Sequence, residues 1–250
     1  MKTSDRFSNR VENYIKYRPR YPETMLEVFR QDMRLKPSSV VADIGCGPGQ
    51  SSQPFLEYGC RVFGVEPNKL MRRAAEDLLS EYRRFSATDG NAHETGLEES
   101  SIDVVIAAQA FHWFSDDRTV EEFGRILKPK GYAALIWNER KLDETPFLRD
   151  YESLLLEYGT DYESVRHDVI SVAELKGMFG RDVRVATYQN VQTFDFEGVK
   201  GRLLSSSYTP AEDDPSFEPM LSKLRSVFAE HNENGRIQIL YDTNVFYLQY

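Results

Sequence analysis

The sequence has few cysteines, no long apolar run and no excess of basic residues, and each shortage argues against a class of protein. Two cysteines cannot build a disulfide framework, nor a zinc site alone. The longest apolar runs, such as 104–108 and 133–137, are about five residues, whereas a membrane-spanning helix needs about 20. A net charge of −9 suits phosphate contacts poorly, because those need clustered Lys and Arg. No apolar segment behind the first lysine forms a signal peptide, so we expect a cytoplasmic globular protein without a metal, membrane or nucleic-acid partner.

Short apolar runs alternate with helical patterns through the first half of the chain. Runs typical of strands, bounded by turn residues, lie at 40–44, 61–65, 85–88, 102–108 and 132–137. Helical patterns lie between them at 51–58, 68–80 and 116–127. The last of these is followed at 128–131 by two lysines, a proline and a glycine, which are typical of the end of a helix. This alternation predicts a parallel sheet with helices on both faces.

The chain is predicted to be a single domain, 1–250, because no internal repeat or composition break marks a linker. Its predicted segments are an N-terminal cap at 1–35, a core at 36–140, a helical elaboration at 141–235 with a strand at 183–189, and a C-terminal strand at 236–250. The last segment is rich in β-branched and aromatic residues, which favours a strand.

Three glycines, Gly45, Gly47 and Gly49, stand between the first apolar strand and the helix that follows it. Glycine permits a sharp turn and lets a ligand touch the backbone, and the helix N-terminus adds unpaired N–H groups. The dinucleotide fingerprint requires its third glycine at position 50, which is Gln50, and a phosphate loop requires Lys before Ser or Thr. The loop therefore matches neither a pyrophosphate nor a triphosphate well. Glu66 stands at the end of the next strand. A carboxylate there can accept hydrogen bonds from both hydroxyls of a ribose, or it can cap the helix that follows.

The segment Asp43-Ile44-Gly45-Cys46-Gly47-Pro48-Gly49 resembles the cofactor loop of class I S-adenosylmethionine-dependent methyltransferases. Glu66, Gly90-Asn91-Ala92 and the segment 108–114 are similar to further segments of that family, in the same order. The segment 14–22 resembles the opening of its type 11 branch, which includes trans-aconitate methyltransferase-like proteins. The sequence departs from the family at Asn91, where relatives usually have Asp, at His93, where they usually have Glu, and at Ser206, where they often have a basic residue.

The resemblance implies a Rossmann-like, doubly wound, mostly parallel seven-stranded sheet with helices on both faces and an antiparallel last strand. It implies S-adenosylmethionine as cofactor, bound by the core, and a small-molecule methyl acceptor, a carboxylate or a hydroxyl, on the side of the helical elaboration. The implied cofactor-binding residues are Asp43, Gly45, Cys46, Gly47, Gly49, Glu66, Pro67, Asn91, Ala92, Gln109, Tyr14 and Arg18.

Several of these residues keep a second interpretation. Asp43 either orients the loop and accepts the ammonium of the methionine tail, or simply forms a turn. Gln109 contacts the methionine tail or only ends a strand. Arg18 grips the cofactor carboxylate or makes a surface ion pair. Tyr14 and Arg18 lie in a basic N-terminal stretch that is otherwise a solvated face.

His112 is the candidate catalytic residue, since it can take a proton from an acceptor, although a lone His is more often structural. Trp113, Asn138 and Arg140 are candidates for the substrate pocket, and Arg140 is alternatively a solvent-exposed ion pair. Methyl transfer is an in-line displacement that proximity and orientation accelerate by about 7–11 kcal/mol, so no catalytic residue is strictly required. The alternatives are a non-catalytic S-adenosylmethionine-binding protein and an NAD-dependent oxidoreductase, which Gln50 disfavours.

Overall fold

The structure, a computed structural model, describes residues 15–165 and 170–250. Its strands form one seven-stranded sheet in the order β3-β2-β1-β4-β5-β7-β6. The strands are β1 (Val40–Ile44), β2 (Arg61–Val65), β3 (Phe85–Thr88), β4 (Ile102–Ala108), β5 (Leu127–Arg140), β6 (Arg184–Phe194) and β7 (Ile237–Gln249). Strands β1 to β5 pair in parallel, and β7 runs antiparallel to both β5 and β6. The predicted doubly wound, mostly parallel sheet with an antiparallel last strand is confirmed.

The helices follow the strands in the alternation that the sequence predicts. They are α1 (Leu26–Gln31), α2 (Gln53–Tyr58), α3 (Lys69–Leu78), α4 (Asp117–Ile126), α5 (Pro146–Tyr158), α6 (Tyr162–Val165), α7 (Val172–Phe179), α8 (Phe196–Leu204) and α9 (Phe217–His231). Helix α3 begins where the Asn68 side chain accepts hydrogen bonds from the N–H groups of Leu70 and Met71. No helix among the described residues is long and apolar enough to cross a membrane.

Alternate residues of the central strands pack into separate cores on the two faces of the sheet. Ala42 and Val105 belong to one core, and Val41 and Ile106 belong to the other. Because both faces are covered, β4 is almost uniformly apolar and buried. A third core joins β7 to α5, α8 and α9, which are helices of the helical elaboration. The division into one domain stays a prediction.

Two predicted strand boundaries are wrong. The strand expected at 183–189 is β6, which continues to Phe194 because it pairs with β7 along its whole length, from Arg184 opposite Tyr247 to Phe194 opposite Ile237. The segment 128–131, expected to separate a helix from a strand, lies within β5. Leu127 pairs with Ile102 before a register shift, and Lys130 takes a positive φ of 68° at this irregularity.

Candidate functional site

A cavity of about 450 Å³ opens at the carboxyl ends of the parallel strands, where β1 lies between β2 and β4. The strand order reverses there, and open α/β sheets bind ligands in such a crevice. The volume falls within the roughly 300–1,000 Å³ typical of small-molecule sites. The residues that line it are Tyr21, Gly45, Cys46, Gly47, Pro48, Gln50, Ser51, Glu66, Pro67, Asn68, Met71, Asn91, Ala92, His93, Ala108, Gln109, Ala110, Trp113 and Phe114.

Many of the predicted site residues meet at this cavity. Those that line it are Gly45, Cys46, Gly47, Glu66, Pro67, Asn91, Ala92, Gln109 and Trp113. Those that lie outside its lining are Asp43, Gly49, Arg18, His112, Asn138 and Arg140. Tyr14 lies outside the described residues. The binding roles of all these residues stay predictions.

The glycine loop presents its backbone to the cavity. Gly45 has a φ of 71°, and a Cβ there would lie 2.9 Å from the Ala110 Cβ, so only glycine fits without displacement. Gly47 has a φ of 54°, and a Cβ there would meet no described atom within 4 Å. Gly49 instead packs against helix α3, since its added Cβ would lie 2.6 Å from Leu79. The open space at Gly47 leaves room for a ligand to approach the main chain.

Glu66 is a buried carboxylate on the cavity wall. Its Oε2 accepts the N–H of Gly47 at 3.0 Å, and its Oε1 accepts the N–H of Asn68 at 2.9 Å. Burial raises the pKa of Glu66, while these two hydrogen bonds and the charge of Arg72 oppose the rise. Each oxygen retains a second lone pair for a hydroxyl donor. The cap of α3 is Asn68 rather than Glu66, so the capping interpretation of Glu66 is wrong.

Asp43 lies beneath the loop rather than on the cavity wall. It is fully buried, and its Oδ2 accepts the hydroxyls of Ser51 at 2.6 Å and Ser52 at 2.7 Å. Its Oδ1 has no hydrogen-bond partner among residues 15–165 and 170–250. Burial raises the pKa of Asp43 to about 6, although the two serine hydroxyls lower it. This arrangement ties β1 to the turn that enters α2 and favours the loop-orienting role.

Gln109 carries local backbone strain at the end of β4. Its φ is 53°, in the left-handed region that non-glycine residues rarely adopt. Two contacts with β5 hold it there: its N–H donates to the Ile136 carbonyl at 2.8 Å, and its Nε2 donates to the Asn138 carbonyl at 3.0 Å. The Asn138 side chain, in turn, donates to the Pro19 and Arg20 carbonyls. The strained turn presents Gln109 to the cavity, and Asn138 fastens the N-terminal segment beside it.

A turn after β3 closes the cavity on the opposite side from Gln109. The Asn91 Oδ1 accepts the N–H groups of His93 at 2.8 Å and Glu94 at 3.2 Å, which shapes the turn. His93 lines the cavity, and its Nε2 lies 2.9 Å from the Asp116 carboxylate. The Thr119 N–H is the main cause that lowers the pKa of Asp116, and the neighbouring His93 acts in the same direction.

The remaining predicted residues have other partners. His112 lies on the 3₁₀ turn Phe111–Trp113, with its ring centroid 4.6 Å from that of Trp113. Arg18 donates from Nη2 to the Ser205 carbonyl at 3.1 Å, at the end of α8. Arg140 makes the ion pair that the sequence offered as an alternative, with Glu152, but the two side chains are only 10% and 12% exposed, so the pair is not fully solvated.

Several cavity residues were not among the predicted site residues, although some of them belong to the segments 14–22, 43–49 and 108–114 that the sequence singled out. They are Tyr21, Pro48, Gln50, Ser51, Asn68, Met71, His93, Ala108, Ala110 and Phe114. For Asn68 and Met71 a signal was present, since the first turn of a helix that follows a strand end points at the same crevice. Phe114 and Ala110 reach the cavity because they pack over Gly45, which no local pattern indicates.

Known proteins similar to this chain are named as methyltransferases. A family model described as "Methyltransferase domain" matches residues 42–135. An uncharacterized methyltransferase of Mycobacterium tuberculosis is 30% identical over 235 residues, 92% of this chain and 89% of that relative. A methyltransferase-like protein of Schizosaccharomyces pombe is 28% identical over 166 residues, 63% of this chain. The matched part of the chain covers 60% of the length of that yeast relative.

Solved structures share the fold at lower identity. A protein of Anaeromyxobacter dehalogenans is similar with a TM-score of 0.70 and 23% identity, covering 93% of this chain and 98% of that chain. Phosphoethanolamine N-methyltransferase 2 of Haemonchus contortus, solved in complex with S-adenosyl-L-methionine, has a TM-score of 0.59 and 15% identity, covering 99% of this chain and 58% of that one. At these identities the likeness concerns the fold.

Proposed function

We propose that this chain, which belongs to the class I S-adenosylmethionine-dependent methyltransferases, binds that cofactor in the cavity beside β1 and methylates a small molecule. The acceptor atom we propose is a carboxylate or hydroxyl oxygen. The observation that carries the proposal is the buried Glu66 carboxylate facing a cavity whose floor is the open backbone of Gly47. The Haemonchus structure with its bound S-adenosyl-L-methionine supports the same cofactor here.

The residues around the cavity fit the parts of such a cofactor. Glu66 offers free lone pairs to ribose hydroxyls, and Gly45 and Gly47 let the methionine part approach the main chain. Asn91 and Ala92 line the side proposed for the adenine, and Gln109 lines the side proposed for the methionine tail. When bound, S-adenosylmethionine supplies an electrophilic methyl group on a sulfonium. The aromatic residues Trp113 and Phe114 also line the cavity, and aromatic rings suit a neighbouring cation.

The chain's contribution to the reaction is chiefly orientation. Holding donor and acceptor in line supplies about 7–11 kcal/mol without a dedicated acid or base. The apolar side chains of Met71, Ala110 and Phe114 line the cavity and reduce the water in it. Because a carboxylate acceptor has no proton to lose, the placement of His112 outside the cavity lining is compatible with that acceptor.

S-adenosylhomocysteine, the demethylated product, is expected to raise the melting temperature. At about ten times its Kd, a ligand that binds only the folded state stabilises it by about 1.4 kcal/mol. For a domain of this size, that corresponds to a Tm increase of about 3–6 °C, measurable by differential scanning calorimetry. NADH serves as the comparison ligand and is expected to give no shift. A shift with NADH alone would favour the oxidoreductase alternative, and no shift with S-adenosylhomocysteine at saturation would contradict the proposal.

Gly47→Ala is expected to weaken cofactor binding at a modest cost in stability. The left-handed backbone at Gly47 makes an added Cβ unfavourable by about 1–2 kcal/mol, and that Cβ would occupy the backbone approach of the ligand. Gly180→Ala is a matched control, since Gly180 also has a positive φ of 61° and an added Cβ there meets nothing within 4 Å. Both variants should lose similar stability in urea unfolding, whereas calorimetric titration should show weaker binding for Gly47→Ala only. Equal affinities in the two variants would count against contact at Gly47.

A further inference from the structure

The two edges of the sheet are built differently. Strand β3, at one edge, has four residues, whereas β6, at the other edge, has eleven. An edge strand leaves N–H and C=O groups along its outer side without a neighbouring strand, so it can pair with a strand of another chain. A strand as short as β3 offers few of these groups. Strand β6 therefore presents much the longer template for pairing.

The sequence of β6 lacks the features that keep other edge strands from pairing. Natural edge strands carry lysine or proline, or they contain a bulge. Between Arg184 and Phe194 the strand has no proline, glycine, lysine or acidic residue, and it pairs with β7 from end to end without a register shift. In the part of the chain that the structure describes, its main chain makes backbone hydrogen bonds to no element other than β7. The outer side of β6 is thus regular and uncharged along almost its whole length.

The side chains on one face of β6 also suit a partner strand. Val185, Thr187, Gln189, Val191 and Thr193 alternate along the strand, and all five are exposed. The two valines are 49% and 51% exposed, and they are two of the five large apolar side chains that are exposed among the described residues. Because β-branched residues pack well against one another on neighbouring strands, a further strand would cover this apolar surface.

A second copy of the chain is a partner whose strand matches β6 in length and in side chains. If two β6 strands run antiparallel about a two-fold axis at Gln189, all eleven residues of each strand are paired. Val185 then lies opposite Thr193 of the second copy. Thr187 lies opposite Val191 in the same way, so β-branched residues meet on the exposed face. The exposed faces of the two copies stay on one side, because each pair joins two residues of the same face.

The distribution of charge favours this antiparallel arrangement. The chain carries a net charge of −9, so two copies repel each other over most of their surface. Arg184 is the one charged residue of β6, and Asp195 directly follows the strand. In the antiparallel arrangement, the Arg184 end of each strand lies beside the Asp195 end of the other, and opposite charges there guide the approach. The neutral centre of the strand adds no repulsion.

The paired backbones supply as many hydrogen bonds as an ordinary protein interface. Antiparallel strands make roughly one hydrogen bond for each pair of opposite residues, so eleven pairs give about eleven bonds. A typical interface between proteins has about ten. A closed two-fold pairing also occupies the free edge in each copy, so no outer side of β6 is left for further strands.

We propose that two copies of this chain form a dimer through antiparallel pairing of their β6 strands, centred on Gln189. The two sheets then form one continuous sheet, with β6 of each copy in its middle. The dimer depends on the edge strand and not on the cofactor, so the proposal stands or falls separately from the proposed function.

Sedimentation velocity and light scattering on the full chain measure the assembly. The wild type is expected to be a dimer. Gln189→Glu is expected to raise the Kd of the dimer at least about tenfold, because two like charges then lie opposite each other at the axis, and Asp242 lies opposite position 189 on β7 in each copy. Gln238→Glu is the matched control, since it adds the same charge at an exposed position of β7, one strand inside the edge. It should change the Kd by no more than about twofold.

A pair of opposite charges at position 189 tests the register. Gln189→Glu and Gln189→Lys, mixed in equal amounts, are expected to form a heterodimer that is tighter than the dimer of either variant alone, since opposite charges then meet at the axis. Circular dichroism checks that each variant is folded. The proposal is overturned if the wild type stays monomeric at the highest concentration that can be reached, or if it forms species larger than a dimer. It is equally overturned if Gln238→Glu dissociates as much as Gln189→Glu, or if the mixture associates no better than the separate variants.

Discussion

Replacing Glu66 with alanine is expected to weaken binding of S-adenosylmethionine by roughly 2–3 kcal/mol, which is about 30- to 160-fold in Kd. The carboxylate lies on the cavity wall and is 8% exposed, so its hydrogen bonds to ribose hydroxyls form with little competition from water. The substitution also removes the acceptor for the Gly47 N–H, which loosens the loop that the cofactor contacts. Isothermal titration calorimetry measures the change directly.

Two comparisons separate loss of the ribose contact from general damage. Glu76→Ala removes an exposed acid from α3, the helix that follows Glu66, and should leave the Kd within about twofold, since surface substitutions usually have small effects. In a double-mutant cycle, an analogue of S-adenosylhomocysteine that lacks the ribose hydroxyls should show a clearly smaller penalty for Glu66→Ala than the natural ligand does, since only the loop contribution is left. An equal penalty with this analogue would assign Glu66 to loop support alone, and an unchanged Kd for the natural ligand would remove it from the site.

The glycine loop and Glu66 could be predicted from sequence because their constraints are local. A buried strand, a sharp left-handed turn and a helix start occupy a dozen consecutive residues, and each element leaves a pattern that one segment contains. Gly45 and Gly47 accordingly lie on the cavity wall, and Glu66 follows the adjacent strand. The alternation of strands and helices likewise predicts the order of the parallel core.

Features created by pairing between distant segments were not predictable in this way. The burial of Arg202 was not predictable, because its environment is made by Tyr241 and Tyr151 from other elements. The length of β6 depends on β7, some fifty residues later, rather than on its own pattern. Asn138 reaches the Pro19 and Arg20 carbonyls across more than a hundred residues. Such contacts depend on tertiary structure, which local propensity does not encode.

Asp43→Asn is expected to remove a pH dependence of about 3 kcal/mol from the free energy of unfolding. Burial raises the pKa of Asp43 to about 6, against 3.8 for the unperturbed group. That difference of about two units corresponds to about 3 kcal/mol, since each pKa unit is about 1.4 kcal/mol. Between pH 4 and pH 6 the folded chain keeps a proton that the unfolded chain has released, so stability falls as the pH rises and is level above this range.

Asparagine is neutral at every pH and can still accept the Ser51 and Ser52 hydroxyls through its Oδ1. We therefore measure urea unfolding of both proteins from pH 4 to pH 8. The free energy of unfolding of Asp43→Asn, relative to that of the wild type, should rise by about 3 kcal/mol from pH 4 to pH 7. Burial also raises the pKa of Glu66, in the same direction, but Glu66 is present in both proteins and largely cancels from the difference. Asp77→Asn, at an exposed position on α3, is the matched control. If the stability curves of wild type and Asp43→Asn run parallel, folding does not raise the pKa of Asp43, and the carboxylate is ionised in the folded chain at neutral pH.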